Sequence, residues 1–427
     1  MTHVLTALGN RWDSRVATLL ERSRAVSIVR RCADLADLVA TASAGLGTVA
    51  LVSGDLRGLD LTAVAQLRSA GVHVVGLAAD GDEEAERRLR RLGIGRVVPG
   101  DAELSELEAA LTEEIDQSSL DELERELGGV LPDLDGMRVA DEPVDVEPES
   151  GRVVAVWGPT GAPGRTTIAV TLATELAGLG IPTVLVDADT YGGSVAQALS
   201  FLDEAPGLAA ATRAADQGSL DVPALARLAP RATAGLRVLT GIPRAERWPE
   251  IRPAALERVL TVCRSLGQVV VVDCGFSLED DEELSYDTVA PRRNAATLTT
   301  LSVADELVVV GGCDPVSLQR LVRALQELGT VPSPQPTVCV NRVRAGAVGS
   351  HPEQRVTEAL ARFAGVSDPL FVPDDSAALD AALLQGRALA ECAPQSPVRA
   401  AVRAIAERVA GAPAGRRRGR RRFRVSR

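Results

Sequence analysis

Residues 153–170 read VVAVWGPTGAPGRTTIAV: a β-branched run, a Gly/Pro turn, then Gly-Arg-Thr-Thr at the head of an apolar stretch of helical character. A strand that passes into a helix through a glycine turn opens an α/β unit. The turn leaves backbone N–H groups free at a helix N-terminus, where an anion is favoured. Against the phosphate-loop pattern GxxxxGK[ST], Gly164 takes the second glycine place, Arg165 the lysine place and Thr166 the hydroxyl place. The first glycine place falls on Pro159, with Gly158 just outside it. Taken alone, the stretch fits an ordinary strand-to-helix turn as well as a phosphate loop.

Later segments narrow the choice. In TVLVDADTYGGS, Asp187 and Asp189 stand at and just beyond a strand end, on the sheet edge that carries the loop. Two acids at i, i+2 suit the positioning of Mg²⁺ through water and the orientation of an attacking water. The plainer reading is a capping aspartate beside a solvated one. QVVVVDCGFS ends its valine run on Asp273, the form of a Walker B strand, whose aspartate holds Mg²⁺ through water. In TVCVNRV, Asn341 offers both donor and acceptor to a purine edge, and Pro373 follows in LFVPDD. Each alone is also ordinary turn chemistry.

The wider pattern is α/β throughout. Strands are expected at 153–157, 183–188, 237–240, 268–273, 307–311, 337–341 and 370–372, mostly as continuous apolar runs, which suits strands buried on both faces. They predict a three-layer domain with a mostly parallel sheet over residues 151–412. Upstream, strands expected at 3–8, 26–29, 48–53, 73–78 and 96–98 alternate with helical segments and predict a doubly wound, flavodoxin-type domain over 1–116. Between the two, residues 117–150 carry eleven acids, two arginines and three prolines, the composition of an acidic linker. Near the far end, Ser396 and Pro397 open a helix whose Val398, Val402, Ile405 and Val409 recur at helical spacing, as for a closing helix packed on the domain.

Composition excludes several classes. No apolar run approaches the roughly 20 residues a membrane-spanning helix needs, and the first residues lack the pattern of a signal peptide. Six cysteines are scattered singly, which points to reduced thiols in the cytoplasm rather than to disulfides or zinc, and three histidines show no ligand spacing. The chain contains no lysine, so arginine at any one place carries less information than usual.

The succession of the loop, VDAD with GGS, VVVVDCG, VNR and PDD resembles the MinD/ParA family of deviant-Walker P-loop ATPases, over about residues 151–410. The size and rhythm of the N-terminal region resemble a response-regulator receiver, which makes the chain most similar to the CpaE/TadZ-type branch that localises pilus-assembly machinery. The resemblance implies a homodimer that sandwiches ATP and Mg²⁺ and switches partner or surface binding on hydrolysis. By position it places Gly161, Ala162, Pro163, Gly164, Arg165, Thr166 and Thr167 around the phosphates. Thr166, Asp187 and Asp273 fall at the metal, Asp189 at the hydrolytic water with Arg165 as the catalytic cation, and Asn341, Arg342 and Pro373 at the base. The family's loop is KGGxGK[ST], and two of its places differ here. Thr160 stands where the first lysine reaches the partner's nucleotide, and Ala162 replaces the second glycine. The receiver-like region also lacks that family's chemistry. Gly9 and Asn10 stand for its first acids, Ser53 for its phosphoacceptor and Val98 near its lysine, with Asp55 two residues late. A docking or dimerisation module for a protein partner, without phosphorylation, is expected there.

Residues 416–427, RRRGRRRFRVSR, carry eight arginines and no acid, within a tail read as disordered from 413. An anionic membrane surface or DNA would suit it equally. The expectation is a cytoplasmic protein, peripheral at the inner face of the cell membrane, that binds ATP and hydrolyses it slowly while positioning a pilus or secretion machine. A catalytically inactive scaffold of the same fold and a ParA-like DNA-partitioning ATPase are the alternatives.

Overall fold

The computed structural model describes residues 1–113, 151–161, 163–201, 206–280 and 291–411. The acidic stretch 117–150, Ala162 and the arginine-rich end lie outside the described residues. The chain divides into two compact units.

In the first unit, β1 (Thr2–Ala7), β2 (Val26–Arg31), β3 (Val49–Ser53), β4 (His73–Ala78) and β5 (Arg96–Pro99) alternate with helices. The sheet order is β2-β1-β3-β4-β5, the flavodoxin-type order, and every pairing is parallel. Helices are set by local chemistry. The side chains of Asp34, Asp60 and Asp82 each accept the backbone N–H three residues on. In the helix Glu83–Arg91, acids fill the first turn and arginines the last, matching the helix dipole. β3 is buried at all five residues between two apolar clusters, one including Leu38, Leu67 and Leu89, the other Val16, Leu20 and Leu107. At its end the Ser53 hydroxyl accepts a hydrogen bond from Gly9 N (2.8 Å).

The second unit holds an eight-stranded sheet, ordered β13-β12-β11-β6-β10-β7-β9-β8. Its strands are β6 (Arg152–Trp157), β7 (Thr183–Ala188), β8 (Arg231–Thr233), β9 (Leu236–Leu239), β10 (Val269–Cys274), β11 (Glu306–Gly312), β12 (Pro336–Val343) and β13 (Leu370–Pro373). All pairings are parallel except β8 with β9. β7 and β10 are buried at every residue, as their unbroken apolar runs require. The edge strand β8 has no sequence expectation behind it, because Arg-Ala-Thr carries neither an apolar run nor alternation. Register then places the acids. Asp273 on β10 lies opposite Asp187 on β7 and Val156 on β6, so strand ends and phosphate loop meet at one edge.

The helix Arg165–Gly178 is buried over Ile168–Ala177, because the helix Pro397–Gly411 covers the face turned away from the sheet. Val398, Val402, Ile405 and Val409 supply that cover, and the Ser396 hydroxyl accepts from Val398 N (3.2 Å). Glu175, 1% exposed at its side chain, is held between Arg399 (2.7 Å) and Arg403 (3.3 Å) of the covering helix. All six cysteines are free. Among the described residues, no helix is long and apolar enough to cross a membrane.

Candidate functional site

The phosphate loop lies between β6 and the helix Arg165–Gly178, and two glycines make its shape possible. Gly161 and Gly164 adopt φ of +100° and +98°, the left-handed region that side chains disfavour. A Cβ on Gly164 would collide with the Asn341 amide, and one on Gly161 with the Arg320 guanidinium. Pro163 is buried, Thr160 and Gly161 are exposed, and Thr166 and Thr167 are half-buried at the helix start.

Arg165 does not point freely into the loop. Its guanidinium donates to the carbonyls of Gly158 (3.3 Å) and Pro159 (3.0 Å) and pairs with Asp189 Oδ2 (3.3 Å). Asp189, 6% exposed, also accepts from Tyr191 N (2.9 Å) and Gly192 N (3.3 Å). The catalytic acid and catalytic cation of the sequence expectation are therefore partners here, each neutralising the other.

The remaining two acids differ from each other. Asp187 accepts hydrogen bonds from Asp189 N (3.2 Å) and Val195 N (3.0 Å). Burial nevertheless pushes its pKa up to about 7, helped by the charge of Asp189 and opposed by those backbone donors. Asp273 is fully buried, and among the described residues neither of its oxygens accepts a hydrogen bond. Burial first, then the charge of Asp187, raises its pKa well above the ordinary carboxylate value, outweighing the Thr166 hydroxyl and the Arg165 charge. A dry carboxylate left without a donor is costly unless it is protonated or meets a cation. No cluster of three metal-ligating His, Cys, Asp or Glu side chains occurs among the described residues. One carboxylate beside a hydroxyl and a phosphate loop suits Mg²⁺, which keeps waters and takes its other oxygens from substrate phosphates.

Asn341, Arg342 and Pro373 gather at neighbouring strand ends, where the β12–β13 register shifts between Val340 and Val343. Asn341, 3% exposed, donates from Nδ2 to Pro163 O (2.9 Å) and accepts from Arg342 N (2.9 Å). Its amide therefore braces the phosphate loop. Arg342 sits at φ +57° with an exposed side chain, and Pro373 closes β13 beside Val343.

Two groups near the site carry no motif. Aromatic residues are 2% of the chain, yet the Tyr191 and Phe276 rings meet at a tilt of 43°, their centroids 4.7 Å apart, beside Asp189. Arg293 lies over the Tyr191 ring (3.8 Å) and donates to Thr190 Oγ1 (2.9 Å) and O (3.0 Å), while Tyr191 OH donates to Asn294 (2.7 Å). The loop after Asp189 is thus clamped in place. The scarcity of aromatics next to the VDAD segment is the signal that could have flagged Tyr191. Arg320, on the helix Pro315–Leu328, has none.

No family model matches the sequence, and no curated protein matches it. Among solved structures, a ParA family ATPase from Chlorobium tepidum TLS is similar, with 20% identity and a TM-score of 0.50, covering 60% of this chain and 98% of that one. The cell division ATPase MinD of Pyrococcus furiosus has 17% identity and a TM-score of 0.47, over 61% and 98% of the two chains. The septum site-determining protein MinD of Pyrococcus horikoshii OT3, solved with Mg-ADP, has 16% identity and a TM-score of 0.47, over 61% and 96%. The Chlorobium likeness shows the fold, a mostly parallel α/β domain.

Proposed function

We propose that this chain binds ATP with Mg²⁺ at the loop and works as a nucleotide-dependent dimeric switch of the MinD/ParA type. The observation that carries the reading is Asp273, a buried carboxylate that accepts no close hydrogen bond among the described residues, facing the Thr166 hydroxyl at the head of a phosphate-loop helix. Thr166 and Asp273 would hold Mg²⁺, with Asp187 behind them and fixed by backbone amides. When bound, the metal neutralises phosphate charge and orients the terminal phosphate for attack. The residues of the chain supply the rest. The helix N-terminus at Thr166 and Thr167 receives the phosphates. Asp189, held by two backbone amides, orients a water. The β12 and β13 ends, with Arg342 and Pro373, flank the base.

The flavodoxin-type first unit supports a CpaE/TadZ-like role, positioning a pilus or secretion machine at the membrane. That unit would serve as a docking module, since Ser53 occupies the phosphoacceptor place and is buried against Gly9. A second reading, a scaffold in which nucleotide is bound and not turned over, is favoured by Thr160 and by the pairing of Arg165 with Asp189. Calorimetric titration with Mg-ATP, beside turnover of the wild type, Arg165→Ala and Asp189→Ala, tests both. Absence of ATP binding would sink the proposal, whereas binding without Asp189-dependent turnover selects the scaffold.

A further inference from the structure

The loop is poor in available positive charge. Arg165 is occupied by two carbonyls and by Asp189, Thr160 is neutral, and Asp187 and Asp273 lie buried close by. A helix N-terminus offers only about half an elementary charge, against the several negative charges of a polyphosphate. One further cation reaches the loop. Arg320, from the helix Pro315–Leu328, lays its guanidinium against the Cα of Gly161, where any Cβ would strike Nη1. The positive φ of Gly161 and its missing side chain make that approach possible. Arg320 is exposed, and no hydrogen bond or salt bridge to it is formed among the described residues.

We propose that Arg320 is a phosphate-contacting cation of this loop, supplied from a neighbouring helix of the same chain. The inference rests on the reading of the loop as a nucleotide site. A planar guanidinium presents paired donors that match two phosphate oxygens, so it serves where a loop lysine does not. An exposed cation without a partner contributes little to folding, so its removal leaves the apo protein intact. Its whole effect falls on anion binding.

Equilibrium binding of Mg-ATP, Mg-ADP, AMP and inorganic tripolyphosphate to the full chain, wild type against Arg320→Ala and Arg320→Lys, tests this. A charge-assisted phosphate contact corresponds to roughly tenfold or more in affinity. Arg320→Ala is expected to lose that much for ATP and tripolyphosphate and much less for AMP, with an unchanged apo melting temperature and partial rescue in Arg320→Lys. Equal affinity of wild type and Arg320→Ala for ATP and tripolyphosphate, the same loss for AMP as for ATP, or no binding of either polyphosphate by the wild type would overturn it. Arg320-dependent binding of tripolyphosphate without binding of ATP would leave the anion site standing and remove the nucleotide reading alone.

Discussion

Replacing Asp273 by asparagine should change the pH dependence of stability in a calculable way. In the folded chain burial raises the pKa of this carboxyl well above its ordinary value, and neither of its oxygens accepts a close hydrogen bond among the described residues. The folded state therefore keeps a proton that the unfolded state has already released. Between the ordinary carboxylate range and the raised value, stability falls as pH rises, by at most about 1.4 kcal/mol per pH unit for this one group. Over that window the wild type should lose stability that Asp273→Asn keeps, since the amide has no proton to release. Any pH-independent cost of the buried amide cancels in the comparison. Asp187, with its pKa near 7, interacts with Asp273, so its own slope is expected to move to lower pH in the variant. Urea titrations at pH 5, 6 and 7, followed by tryptophan fluorescence, measure the two slopes. Mg-ATP should stabilise the wild type increasingly as pH rises, because the metal selects the ionised carboxylate, and should stabilise the variant little. Parallel pH profiles of the two apo proteins would refute the assignment of Asp273 as a dry, unpartnered acid.

Two further substitutions test how the loop is held. Gly164→Ala places a methyl group where the Asn341 amide now sits, at a φ of +98°. It should cost on the order of 1–3 kcal/mol from strain and a lost hydrogen bond, and weaken nucleotide binding, as read by thermal melting and titration calorimetry. Removing both Arg399 and Arg403 strips the buried Glu175 of its charged partners. The double alanine variant should lose about 3 kcal/mol in urea denaturation, whereas Arg403→Ala alone, which leaves the pairing of Glu175 with Arg399, should lose much less.

The parts of the fold legible in the chain are those dictated by local chemistry. Continuous apolar runs in β6, β7 and β10 announce strands buried on both faces, and their order places Asp187, Asp189 and Asp273 at one edge. β8 escaped because a three-residue edge strand needs no apolar pattern. Residue types at the site were legible as well, but their partners were not. Arg165 reads as the loop cation, yet its pairing with Asp189 depends on where β7 ends in space. Asn341 reads as a base contact by its chemistry, while its amide reaches back to Pro163 across 178 residues of sequence. Arg320 is the extreme case. Helical periodicity marks Leu321, Leu325 and Leu328 as the buried face of its helix, and assigns Arg320 only to the solvent side. Only the β11–β6 pairing brings that solvent side over Gly161. The missing loop lysine at position 160 and the arginine at 320, unpaired among the described residues, are therefore one question in the folded chain, although nothing in the sequence connects them. Whether the loop is short of charge is decided by what the neighbouring helix lays against it.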